Sequence, residues 1–74
     1  MDVTVIGIFD SMRVAQDARR ALLAAGVLEA RIVIHQGQDG ACSVGVHAQS
    51  SFERDRIRDL LQRNGASRTE QRRA

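Results

Sequence analysis

The chain has 74 residues, of which 43% are hydrophobic and 27% charged, a globular balance that argues against disorder. All eleven basic residues are arginine, set against nine acids for a net charge of +2, and without lysine there is no Schiff-base, P-loop or general-base lysine. A single cysteine, Cys42, excludes an internal disulfide, a C-x-x-C redox pair and a structural zinc site.

The opening Met1-Asp2-Val3-Thr4 has no basic, apolar leader, so no export signal is expected. No apolar run approaches the ~20 residues of a membrane helix. A cytoplasmic domain is the expectation. Val3-Thr4-Val5-Ile6-Gly7-Ile8-Phe9 is β-branched and aromatic and predicts a strand. Asp10 and Ser11 follow as N-cap candidates for a helix. Val14, Ala15, Ala18, Ala21, Leu22 and Ala25 recur at helical spacing and form its apolar face. Gly26 followed by Val27 predicts a left-handed stop at Ala25.

Arg31–His35 reads as a second strand, Gly37–Gly40 as turn chemistry and Cys42–Ala48 as a third strand. Ser50 and Glu53 have the spacing of a capping box. The helix it opens places Ile57, Leu60, Leu61 and Asn64 on one side, with Arg54, Asp55, Arg58 and Asp59 outside. Gly65-Ala66 repeats the earlier stop, and Ser67–Ala74 is either a short edge strand or a loose tail.

Ile6-Gly7-Ile8-Phe9 can be laid on Val44-Gly45-Val46-His47, each followed by a helix ending in glycine. The glycines are 19 positions apart in the first unit, Gly7 to Gly26, and 20 in the second, Gly45 to Gly65. The chain therefore reads as one domain, residues 1–74, with a pseudo-repeat of residues 3–36 and 42–72. This predicts an α+β, ferredoxin-like βαββα(β) two-layer sandwich. Its antiparallel sheet carries two helices on one face, with the first and third strands central.

For the second and third strands to match faces, Ile34 must oppose Cys42 or Val44 across an odd-length connection. The helix-covered face is then expected to hold Ile32, Ile34, Cys42, Val44 and Val46, joined by Ile6 and Ile8. Cys42 becomes a core residue. The open face is expected to carry Val3, Val5, Gly7 and Phe9, with Arg31, Val33, His35, Ser43, Gly45 and His47. A bare apolar face of that kind predicts a homodimer, with Val5, Gly7, Phe9, Val33, Gly45 and His47 as its contact surface.

Chemistry is sparse. His35 and His47 share a face under this reading, but no carboxylate or cysteine there completes a metal site. Asp10 and Ser11 form a corner at a helix N-terminus that could meet a small ligand, although Asp10 opposes an anion and a capping role suits both. No catalytic triad or phosphate loop is visible, so neither enzymatic activity nor a cofactor is expected. Phe9 is the sole aromatic available for base stacking on the sheet, which argues against an RNA-binding sheet.

The segments Thr4–Ser11, Ala25-Gly26-Val27, Ser43–Val46 and Leu61–Ala66 resemble those of bacterial general-stress (heat-induced stress) protein domains. The resemblance spans most of residues 3–70 and rests on structural motifs, none catalytic. Members often carry a longer, Gly-rich connection where this chain has only Gln36–Ala41. It implies a ferredoxin-like fold and a stress-associated bacterial context, and no mechanism. A dimeric non-enzymatic protein is the leading expectation. A small-molecule-sensing module like the ACT regulatory domains is the alternative. A further one is weak nucleic-acid binding through Arg54, Arg58, Arg63, Arg68, Arg72 and Arg73, since residues 53–74 hold seven arginines against four acids.

Overall fold

A computed structural model describes residues 2–37 and 39–73. The element order is β1 (Val3–Phe9), α1 (Met12–Ala24), a 3-10 turn (Glu29–Arg31), β2 (Ile32–Gln36), β3 (Cys42–Ala48), α2 (Ser51–Arg63) and β4 (Arg68–Arg73). The four strands form one antiparallel sheet in the order β2-β3-β1-β4. Both helices pack on one side of it, so the fold is the expected ferredoxin-like α+β sandwich.

The two halves are built alike because the same local chemistry recurs. Ser11 Oγ accepts from the Val14 N–H at 3.3 Å, and Ser50 Oγ accepts from the Glu53 N–H at 3.1 Å. Each hydroxyl satisfies a donor that the helix start would leave free. The Glu53 carboxylate reaches back to the Gln49 N–H at 3.0 Å, one residue before the cap, and also binds Arg31 at 3.2 Å. At the far ends, the Val27 N–H donates to the Leu22 carbonyl and the Ala66 N–H to the Leu61 carbonyl. Gly26 and Gly65 take φ of 95° and 100° there, a conformation that costs a side-chain-bearing residue about 1–2 kcal/mol. Arg56 adds a bond from α2 to the Ala25 carbonyl at 3.1 Å, placing a cation at the negative end of α1.

Arg31 lies outside the strand in which it was expected. It closes the 3-10 turn, and its guanidinium meets Glu53 instead of solvent on the open face. The β2–β3 connection has the odd length that the face argument required: Ile34 pairs with Val44 and Gln36 with Cys42, leaving residues 37–41. Ser67–Ala74 resolves in favour of a strand, since Arg68–Arg73 pairs along β1; Ala74 itself lies outside the described residues. The Ser67 N–H and hydroxyl both donate to the Ile8 carbonyl and anchor that start.

The core overturns the face assigned to β1. Val5 pairs with Val46, Gly7 with Val44 and Phe9 with Cys42. Directly opposed residues share a face, so Val3, Val5, Gly7 and Phe9 lie under the helices beside Cys42, Val44 and Val46. Val5 and Phe9 are 0% exposed, packed with Ala15, Ala18, Leu22, Ile57 and Leu61. Ile6 and Ile8, expected inside, point to the uncovered side with Thr4 and are half-buried. A one-residue slip in register turns every side chain over. Gly7 has an internal purpose: a Cβ there would stand 3.0 Å from Phe9 Cε1 and 3.3 Å from Leu61 Cβ. Its bare backbone lets α2 close on β1.

Candidate interaction surface

The uncovered side of the sheet is built from three rows that run across the strands. One row is Val33 (β2), Gly45 (β3), Ile6 (β1) and Glu70 (β4). A second is His35, Ser43, Ile8 and Arg68, and a third is His47, Thr4 and Arg72. Val33 is 65% exposed on this side. Ile6 and Ile8 retain partial exposure beside it. Between β2 and β1 the small side chains of Ser43 and Gly45 leave a shallow concavity of about 360 Å³, bounded by Val33, His35, Ile6 and Ile8.

Of the six residues expected on a dimer face, Val33, Gly45 and His47 do lie on this surface. Val5, Gly7 and Phe9 do not, for the register reason given above. Thr4, Ile6 and Ile8 take their place, together with Arg68, Glu70 and Arg72 from β4, which the sequence left open between an edge strand and a tail. Charge on the surface is mixed: Glu70 sits between Arg68 and Arg72 along β4 and approaches Arg68 at 3.8 Å.

His35 and His47 share this side without meeting. His35 pairs with Ser43 and His47 sits four residues farther along β3, roughly 13 Å away at strand rise. His47 Nε2 instead stands 3.5 Å from Asp2 Oδ1. Among the described residues, no group of three or more His, Cys, Asp or Glu side chains is placed to hold a metal ion. Cys42 is buried, as expected, with its thiol toward the Gly40 carbonyl at 3.8 Å.

At the β1–α1 corner, the Ser11 hydroxyl is committed to the Val14 N–H and Asp10 is exposed. The arginines expected for nucleic acid are divided. Arg54, Arg58 and Arg63 lie along α2 in ion pairs with Asp55 and Asp59, whereas Arg68 and Arg72 lie on the sheet. Among the described residues the interior contains no buried polar or charged side chain. Among the described residues, no helix is long and apolar enough to cross a membrane.

Compared with known proteins, the chain matches no family model, no curated protein and no solved structure.

Proposed function

We propose that this protein is a small, non-enzymatic module that works as a homodimer assembled through the open face of its sheet. The observation that carries the reading is the apolar middle of that face, where Val33, Ile6 and Ile8 border a notch that no helix or loop covers. Four strands at ~4.8 Å spacing and up to seven residues at ~3.4 Å rise give a face of roughly 450 Å² in projection. Two such faces, with their side-chain relief, reach the ~1,000 Å² at which specific interfaces begin.

The resemblance to bacterial general-stress domains supplies the context of this proposal, a stress-associated role in a bacterial cytoplasm. Sedimentation equilibrium from micromolar to several hundred micromolar is the test. A monomer–dimer equilibrium is expected, and Val33→Glu should abolish it while leaving the circular dichroism spectrum intact. A chain that stays monomeric across that range would overturn the proposal.

A further inference from the structure

Resting on the open-face reading, we propose that the second copy packs about a two-fold axis parallel to the strands, between β1 and β3. Ile6 of each copy then seats against Gly45 of the other.

The argument begins with what glycine does at each position. Gly26, Gly40 and Gly65 have positive φ. A Cβ on Gly7 would crowd Phe9 and Leu61, and one on Gly37 would stand 3.0 Å from the Ala41 carbonyl oxygen. Gly45 is the exception among the six. A Cβ there would meet Thr4 Cγ2 at 3.6 Å, the Val33 carbonyl oxygen at 3.8 Å and Ile6 Cγ1 at 4.0 Å, all ordinary contacts, and its φ is not positive. A glycine inside a strand weakens it, and among the described residues nothing requires this one. Its missing side chain faces outward, so what it accommodates comes from outside.

The relief of the face identifies the visitor. On the open side β1 carries the large Ile6 and Ile8, and the adjacent β3 carries the small Gly45 and Ser43, paired across in the same rows. Rotation about an axis between these two strands and parallel to them lays the β1 of one copy over the β3 of the other. Ile6 then meets Gly45 of the partner subunit, and Ile8 meets the partner's Ser43, a ridge into a groove. The same operation sets Glu70 over the partner's Val33, next to the partner's His35, so no acid faces an acid. A two-fold axis along the middle row instead stacks Ile6 on the partner's Ile6, Gly45 on the partner's Gly45 and Glu70 on the partner's Glu70. That arrangement joins bulk to bulk, void to void and like charge to like charge, which costs specificity and affinity. The surface is therefore complementary to its own copy in one of the two arrangements only.

Sedimentation equilibrium on wild type, Gly45→Val and the double variant Ile6→Ala/Gly45→Val tests the geometry, with thermal melts confirming that each is folded. Filling the notch should weaken dimerisation by about tenfold or more, the usual scale of a central contact. The double variant should recover to within about threefold of wild type, because valine then faces the shortened partner residue. If Gly45→Val does not fold, Gly45→Ala replaces it, with a loss of at least threefold expected. A wild-type dimer unaffected by Gly45→Val, or a double variant with no recovery, overturns the seating while leaving the open-face reading in place. A monomeric wild type overturns both.

Discussion

Gly7 and Gly45 offer the sharpest test of which side of β1 is inside, because each can be given one methyl group. At Gly7 the methyl would stand 3.0 Å from Phe9 Cε1 and 3.3 Å from both Leu61 Cβ and Cδ1. Phe9 and Leu61 are both 0% exposed and cannot swing away into solvent. Overpacking of this kind costs about 1–3 kcal/mol, offset by about 0.5–1 kcal/mol from the reduced freedom of the unfolded chain. A net loss of about 1–2 kcal/mol is expected for Gly7→Ala. At Gly45 the nearest atoms lie at 3.6 Å and beyond, so only the favourable part remains and Gly45→Ala should gain about 0.5–1 kcal/mol. The two single-methyl variants then differ by about 2–3 kcal/mol, out of a total stability of about 4–11 kcal/mol for a chain of this length. In thermal terms, at about 4–8 °C per kcal/mol, the melting points separate by roughly 10–20 °C. Far-ultraviolet circular dichroism in urea is the assay, since Phe9 and Phe52 are the sole aromatics and give no useful fluorescence. Protein held well below the dimer dissociation constant keeps dimerisation from contributing by mass action. A Gly7→Ala variant as stable as Gly45→Ala would refute the register on which both faces are assigned.

The helix ends supply two further tests, both read as shifts in the urea midpoint at constant slope. Gly26→Ala should lose about 1–2 kcal/mol for its left-handed backbone alone, since no atom lies within 4 Å of the added Cβ. Gly65→Ala should lose about 1–3 kcal/mol more, because its Cβ would lie 2.8 Å from Val14 Cγ1; equal losses at the two sites would contradict the packing of α1 against the end of α2. Ser50→Ala should cost about 1 kcal/mol, and Ser50→Asp, which keeps an acceptor for the Glu53 N–H, should cost only a fraction of that. Equal losses for the alanine and aspartate variants would show that the side-chain cap at the start of α2 contributes little.

Most of the fold could be read from the chain because its signals are local. Ser11 and Ser50 announce helix starts, Gly26 and Gly65 announce stops, and Gly37–Gly40 announces a turn whose odd length follows from matching the faces of β2 and β3. The face of β1 could not be read the same way. Val3, Val5 and Phe9 on one side and Ile6 and Ile8 on the other are both apolar sets, so alternation within the strand does not choose between them. Aligning Gly7 with Gly45 chose wrongly. The caps gave the correct spacing: Ser11 to Ser50, Gly26 to Gly65 and the strand starts Val3 to Cys42 are each 39 positions apart, and that spacing aligns Ile6 with Gly45. The gap of 19 residues in one unit against 20 in the other was the visible trace of the slip. On the candidate surface, Val33, Gly45 and His47 were legible from the β2–β3 pairing. Ile6 and Ile8 fell with the error on β1. Arg68, Glu70 and Arg72 were legible only as the fourth strand that the repeat allowed, since a polar segment forms a strand only when β1 is there to pair with it.

The inverted register also changes what the two glycines mean for assembly. Had both faced outward, the open side would have been smooth along its centre, with no element to fix how a second copy sits. With Gly7 inside, the helix layer closes tightly over β1, and the outer relief is left asymmetric, large on β1 and small on β3. Asymmetry across a two-fold axis is what makes a surface complementary to itself. The sheet margins favour the same outcome. β4 carries Arg68, Glu70, Arg72 and Arg73 along its six residues, and β2 is only five residues long; charged or short edges discourage strand addition. The proposed association would thereby run through the face, where a two-fold contact closes at two copies, and not along the edges, where it could continue indefinitely.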